Sequence, residues 1–414
     1  MYSRQMTKTY GVRSAVALAA LFVTAGSALA GGFAVREQSA SLMGAAFAGA
    51  AAGGDLSSSF WNPAAFSVAG DGLQTQSAYS AILADTELSN GTTSAGPIGA
   101  TGTSIDKIGV LSASYAAYRM NEKLVLGVSV NTPFGLATDP DNLDWTGRVH
   151  SREAQMLSFN VAPTIAYDIA PGITIAAGIQ LEYMKLKLWS AALPTLPSPS
   201  VSIKVDDNIG VGATAGILLR PAAGTSIGLG FRSSIEHDLK GNLFSPTGAT
   251  PAVSATLETP EMVTFSFSQA VTTGVRLLGT VEWSNWSRID VVPLVGLGGP
   301  AIDAKWDDGW LVSGGLEYDY SGALTLRGGL GYEKSPIRNP AQRLVQLPDS
   351  DRIWVAAGAS YRYSESTTLD FSYAHLFFDD AHLTRGALTN PAFVLDADVS
   401  NSADILSVGM RTRW

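Results

Sequence analysis

Cysteine is absent from all 414 residues, which excludes disulfides and thiolate metal sites from the chemistry of this chain. Long hydrophobic runs are missing too. Beyond residue 30 no apolar stretch reaches the roughly 20 residues that a membrane helix needs. Charge is scarce: Asp, Glu, Lys and Arg make up 15% of the sequence, with a formal net charge of −9. A deficit of cations argues against nucleic acid, because phosphate binders concentrate Lys and Arg. The four histidines, His150, His237, His375 and His382, lack metal-ligand spacing. No metal or other cofactor is expected.

Apolar residues are nevertheless abundant, at 46%, alongside 43 Gly, 13 Tyr and 9 Trp. The first thirty residues carry Arg4, Lys8 and Arg13, then the short apolar "AVALAALFV", then "ALA". They are expected to be a secretory signal peptide, 1–30, because an apolar core this short cannot span a bilayer as a helix. Cleavage after Ala30 leaves 24 cations against 36 anions, a balance of −12. The remaining apolar residues alternate. In "LTLRGGLGY", Leu324, Leu326, Leu330 and Tyr332 share one face, while Thr325, Arg327, Gly329 and Gly331 share the other. Such period-2 segments are strands with one apolar face and one small or polar face.

Fourteen segments of this kind are predicted, at 73–83, 107–119, 122–132, 154–168, 172–190, 201–220, 223–236, 260–271, 274–287, 309–320, 322–333, 351–363, 366–378 and 403–414. Their connections alternate between short turns, such as "YSG" (320–322), and long stretches, at 84–106, 133–153, 237–259, 288–308, 334–350 and 379–402. Even strand number with short turns at one end and long loops at the other is the pattern of a bacterial outer-membrane barrel. The fold expected is therefore all-β, a 14-stranded antiparallel transmembrane barrel over 73–414. Tyr183, Tyr332, Tyr361, Tyr363 and Trp414 fall near segment ends, as interfacial girdles do. A soluble sandwich would carry a charged outer face, but these polar faces are mostly Gly, Ser and Thr. A propeller would show blade-length repeats, and none is found.

Residues 31–72 precede the first segment and are too rich in Gly and Ala to hold a core of their own. Within "SSSFWNPAAF" (57–66), Asn62 is placed to cap a short helix that Pro63 begins, with Ala64 in its first turn. Phe60, Trp61 and Phe66 then have no partner except the inner wall of the barrel. This region is expected to be a hatch that fills the lumen.

The ordered set "GGFAVREQSASLMGAAFAGAAAGGDLSSSFWNPAAF", "NTPFGLATD", "VAPTIAYDIAPGITIAAGIQLEY", "FRSSIEHDLKG", "VEWSNWSRID" and "VQLPDSDRIWVAAGASY" resembles the FadL-type outer-membrane transporters. That resemblance implies passive uptake of long-chain fatty acids or related hydrophobic compounds. It further implies capture in a groove among the outer loops, rearrangement of the hatch, and sideways exit where one strand kinks. "NTPFG" (131–135), with Pro133 and Gly135, is a candidate for that irregularity. The resemblance also implies recognition of the C-terminal strand, ending in Trp414, by the barrel-assembly machinery. Aromatic hydrocarbons or alkanes are the alternative cargo, partly because the 190–200 connection is short. An open porin and an outer-membrane lipid hydrolase centred on His375 are weaker readings. The other expected partners are outer-membrane lipid and lipopolysaccharide, with no nucleic acid and a single copy of the chain.

Strand phase directs Met184, Leu186 and Leu188 inward, as part of a ligand groove. The same phase sends Lys185 and Lys187 outward, toward lipopolysaccharide. The resemblance instead implies a basic carboxylate anchor near this strand end, which Lys185 or Lys187 would supply if the strand bulged. Arg327 faces the lumen, where it would contact ligand or pair with Glu317.

Overall fold

A computed structural model describes residues 31–414 apart from 97, 208, 298–300 and 389. The expected signal peptide lies outside the described residues. No described helix is long and apolar enough to cross a membrane; the wall is made of strands.

The strands are β1 (Gly72–Thr93), β2 (Thr103–Arg119), β3 (Leu124–Asn131, resumed at Gly135–Thr138), β4 (Glu153–Ala170) and β5 (Ile173–Ala191). Next come β6 (Ser200–Asp206 and Gly210–Ala222), β7 (Thr225–Arg232 and Glu236–Phe244), β8 (Ala252–Glu258 and Met262–Thr272) and β9 (Val275–Ser284). The set ends with β10 (Gly309–Asp319), β11 (Leu324–Lys334), β12 (Arg352–Arg362), β13 (Thr367–Phe378 and Ala381–Ala387) and β14 (Asn390–Arg413). Each pairs antiparallel with its neighbour. The register Gln74↔Arg413 to Thr93↔Leu395 joins β1 to β14 and closes the sheet into a 14-stranded barrel.

Alternation is kept around the wall. Ile165, Ile175, Ile179, Leu316 and Leu330 are exposed on the outside, while Thr164, Thr174, Gln180, Ser313 and Ser360 are buried inside. At the short-turn end Tyr118, Tyr167, Tyr318, Tyr320, Tyr361, Tyr363 and Trp414 are exposed, as an interfacial belt requires.

Several strands outrun their expected limits. Stretches 84–106 and 379–402 are mostly paired strand rather than loop, since β1 continues to Thr93 and β14 begins at Asn390. The outward face turns acidic there, through Asp85, Glu87, Asp396 and Asp398. The backbone ladder continues past the apolar band, so the hydropathy pattern ends before the strand does.

Residues 31–69 run inside the barrel, and nearly all are buried. They form short pieces: a helix at Ala40–Met43 and 3₁₀ turns at Ala50–Ala52, Leu56–Phe60 and Pro63–Val68. Asn62 caps the last of these, its side chain accepting from the Ala64 N–H at 3.0 Å, with Pro63 in the first position. Phe60 lies beneath the Arg232 guanidinium at 4.4 Å, and Trp61 packs on Phe60 and Phe47 at ring separations of 5.0 and 5.6 Å. Phe66 is seated over Gly127, where a side chain would collide with its ring.

The pairing of β2 with β3 is interrupted. β2 pairs with β3 only from Arg119↔Val125 to Ser114↔Val130. Beyond Asn131 the chain leaves the ladder, and its Gly135–Thr138 continuation pairs with β4 alone. Pro133 has no N–H to donate to β2. The N-terminal segment takes up the hydrogen bonding instead: the Val35 N–H donates to the Pro133 carbonyl at 2.8 Å, and the Gly135 N–H donates to that of Phe33 at 3.0 Å. The gap between β2 and β3 is rimmed farther out by the Lys107–Asp139 ion pair at 2.7 Å and by the Asp141 N–H on the Ser104 carbonyl at 3.0 Å.

Candidate functional site

Two cavities lie on opposite sides of the N-terminal segment, and their chemistry differs. The cavity toward the short turns, about 510 Å³, is polar. Arg276, Glu317, Asp319, Arg327 and Arg411 line it, with Asp55 on the N-terminal side. These charges neutralise one another: Arg276 pairs with Asp319 at 2.9 Å, Arg411 pairs with Asp370 at 2.7 Å, and Arg327 is hydrogen-bonded to Glu317.

The cavity toward the long loops, about 450 Å³, is apolar. Phe33 forms its floor, and Leu186, Leu188, Leu239, Leu257, Ile289 and Trp306 are among its walls. This is a size and lining suited to a small hydrophobic ligand. Beneath the floor Phe33 meets Trp286 edge-on at 4.7 Å and Trp306 at 5.8 Å. An aromatic cluster thus separates the cavity from the break in β3.

The polar side chains on its lining include His150, Asp303, Gln346, Thr384 and Arg385, and the Asp303 carboxylate acts on Arg385 through space without pairing with it. Arg385, from the outer part of β13, donates through Nη1 to the Ala341 carbonyl at 2.6 Å. No carboxylate among the described residues lies within ion-pair distance of it. His150 lies beside it on the connection between β3 and β4. Its Nε2 is 2.9 Å from the Arg385 carbonyl, and its Nδ1 is buried without a hydrogen-bond partner. Burial pushes the imidazole down to about 4, so it is neutral at ordinary pH. A neutral ring that donates from Nε2 leaves Nδ1 as an unused acceptor.

The sequence-predicted groove residues divide cleanly. Met184 is fully buried in the hydrophobic cluster around Phe33, and Leu186 and Leu188 line the apolar cavity. Lys185 and Lys187 do not reach it. β4 and β5 pair in unbroken register from Glu153↔Trp189 to Val161↔Leu181, so no bulge turns either lysine inward. Lys185 is exposed on the outer surface, and Lys187 pairs there with Glu153 at 2.6 Å. Arg327 faces the lumen but lies in the polar cavity, directly opposite Glu317 in the β10–β11 register. His375 sits on the outer face, its Nδ1 2.8 Å from Asp404.

Arg385 is not singled out by the sequence, and His150 only as a histidine without metal-ligand spacing, because both lie in stretches expected to be long loops, 379–402 and 133–153. Only the folded hairpins bring them together. The alternation of β13, had it been followed past Phe378, would have been the available signal.

The family model described as "Outer membrane protein transport protein (OMPP1/FadL/TodX)" matches residues 21–414. A long-chain fatty acid transport protein of Escherichia coli is 23% identical over 312 residues, covering 64% of this chain and 69% of that protein. Among solved structures, a Pseudomonas aeruginosa FadL homologue superposes with a TM-score of 0.83 at 19% identity, covering 92% of this chain and 99% of the other. The Ralstonia pickettii toluene transporter TbuX gives 0.69 at 15% identity, with 91% and 100% covered.

Proposed function

The chain belongs to the OMPP1/FadL/TodX family of outer-membrane transport proteins, and on that premise we propose that its preferred cargo is a long-chain fatty acid or similar anionic amphiphile. It is a multi-pass β-barrel of the outer membrane that passes hydrophobic compounds. The observation that carries the finer reading is the unpaired Arg385 guanidinium on the wall of an apolar cavity. An acyl chain kept out of water gains roughly 0.8 kcal/mol per CH₂. A head carboxylate would supply the ion-pair partner that Arg385 lacks.

The route follows from what surrounds that cavity. Ligand enters among the outer loops and rests above Phe33. The N-terminal segment acts as the hatch: Phe33 must yield before anything moves deeper. The break at residues 132–134 then offers a sideways exit into the membrane between β2 and β3, where no ladder has to be broken. The polar cavity beneath the hatch is a poor path for an acyl chain, because its paired charges would have to be desolvated. Outside the barrel, Lys185 and Lys187 face the level of lipopolysaccharide, and the strand ending in Trp414 is the one offered to the assembly machinery. A single copy suffices for this route.

Mass spectrometry of protein extracted in mild detergent tests the cargo. A co-purified fatty acid is expected. A neutral aromatic compound in its place would shift the assignment to hydrocarbons, the cargo named for TbuX.

A further inference from the structure

The two glycines ahead of Phe33 stand at a second place of unusual chemistry. The Gly31 nitrogen donates to Glu333 Oε1 at 3.0 Å, and the Gly32 nitrogen donates to Asp349 Oδ2 at 3.1 Å. Both carboxylates belong to a buried ionic cluster. Arg36 reaches Glu282 at 2.5 Å and Glu333 at 2.8 Å, while Arg352 reaches Asp349 at 2.5 Å and Glu333 at 3.5 Å. None of these five side chains is more than 5% exposed. Within ion-pair distance, among the described residues, three carboxylates therefore share two guanidiniums; at longer range Arg232 acts on Glu282, Arg343 acts on Asp349, and the buried Glu37 adds a further acid beside Glu333. Burial also lifts the Asp349 carboxyl above its usual range, against the pull of Arg352. In direct ion pairs the carboxylates outnumber the guanidiniums by one, and a backbone nitrogen already points into the cluster.

We propose that cleavage between Ala30 and Gly31 supplies a further positive charge, so that the new α-ammonium of Gly31 completes the carboxylate cluster and locks the N-terminal segment inside the barrel. In the hydrolysis the Ala30–Gly31 C–N bond breaks and the hydroxyl of water goes to the Ala30 carbonyl carbon. The hydrogen goes to the Gly31 nitrogen. The new carboxylic acid ionises, and the amine takes up a proton. Uncut, the same nitrogen offers one N–H and no charge; cut, it offers three and a full charge. A charge buried alone is expensive, but here the counter-charge is already in place. The local sequence suits this role. A Cβ at residue 31 would stand 2.8 Å from Glu333 Oε1, and Gly32 has φ +63° with the Trp286 ring 2.9 Å from where its Cβ would be. The "GG" after "ALA" thus serves the buried terminus as well as the protease. The inference concerns assembly, so it holds whichever compound is carried.

N-terminal sequencing of the barrel taken from outer membranes is expected to begin Gly-Gly-Phe. The folded protein is then pulsed with an amine-acylating reagent at neutral pH, and modification of the α-amine is read by peptide mass. An ordinary α-amine titrates near 8, and each unit that the carboxylates add slows acylation about tenfold. The native terminus is expected to react at least tenfold more slowly than in a variant with one alanine inserted before Gly31, which displaces the charge. Glu333→Gln is expected to speed the reaction with the terminus still buried, a change that burial alone would not produce. Heat-dependent gel mobility confirms that each variant is folded. If neither variant folds, the pH dependence of acylation in folded wild type is read instead: the carboxylates are expected to place the α-amine above its ordinary value near 8, whereas burial alone would place it below. A first residue other than Gly31 overturns the proposal. So does an α-amine that reacts in the folded wild type as fast as in the folded variants, or one that titrates at or below its ordinary value.

Discussion

The rings of Phe33 and Phe134 meet nearly edge-on, with centroids 5.7 Å apart. One belongs to the N-terminal segment and floors the apolar cavity; the other belongs to the break in β3. The contact therefore joins the floor of the apolar cavity to the break in the β2–β3 pairing. Phe33→Ala should remove this contact together with those to Trp286 and Trp306. A buried Phe→Ala change costs about 3–5 kcal/mol, so the heat-dependent gel transition of the barrel should move to lower temperature. Binding of a fluorescent fatty acid should weaken in the same variant. Unchanged binding would place the ligand elsewhere.

Besides its side-chain contacts, the N-terminal segment approaches the backbone of the wall closely. A Cβ on Gly228 would stand 1.8 Å from the Ala51 carbonyl oxygen, and one on Gly230 would stand 1.8 Å from that of Trp61. Gly230→Val should leave the ladder of β7 intact while forcing the segment off its seat. In planar bilayers the native protein should be nearly silent, Gly230→Val should conduct, and deletion of residues 31–70 should conduct most. A native protein as open as the deletion would mean that the segment is no plug.

Glu37 gives a pH prediction. It lies on the N-terminal segment, is 3% exposed, and its Oε2 has no hydrogen-bond partner. Burial raises its carboxyl from 4.5 to about 7, with Glu333 adding to the rise and Arg36 and Arg352 opposing it. An acid whose folded pKa is raised favours the folded state at low pH. That contribution is whole below pH 4.5 and is lost as pH rises through 7. At 1.36 kcal/mol per unit the loss is roughly 3 kcal/mol as an upper bound. Melting between pH 4.5 and 7.5 should show stability falling with pH, and Glu37→Gln should flatten that slope. An equal slope in the variant would assign the effect to another group.

The barrel was legible because alternation is a local signal. Leu324, Leu326 and Leu330 report their outward face without knowing their neighbours, and turns such as 320–322 announce themselves. The inward phase of Met184, Leu186 and Leu188 was legible for the same reason. What stayed hidden depends on long-range placement. Arg385 and His150 are far apart in sequence and meet only through the outer hairpins. The strand ends near Thr93 and Asn390 were missed because the outward face becomes acidic before pairing stops. Lys185 shows the opposite hazard: resemblance suggested an anchor at that strand end, while phase sent the side chain outside. The unbroken β4–β5 register sides with phase.

That contrast makes a paired test of the cargo. Arg385 lines the apolar cavity with no ion-pair partner, whereas Lys185 is exposed on the outer surface. Both substitutions to methionine remove one charge and keep an apolar stem, so non-specific electrostatics are matched. A hydrogen bond to a charged group contributes about 1.5–3 kcal/mol, which corresponds to roughly 10- to 150-fold in affinity. Arg385→Met should weaken oleate binding by that factor and leave toluene binding unchanged, while Lys185→Met should alter neither. Equal loss for oleate and toluene in Arg385→Met would show that the guanidinium holds the hairpin, through its bond to Ala341, and not the head group. Loss of oleate binding in Lys185→Met alone would move the anchor to the outer surface and overturn the cavity as the capture site.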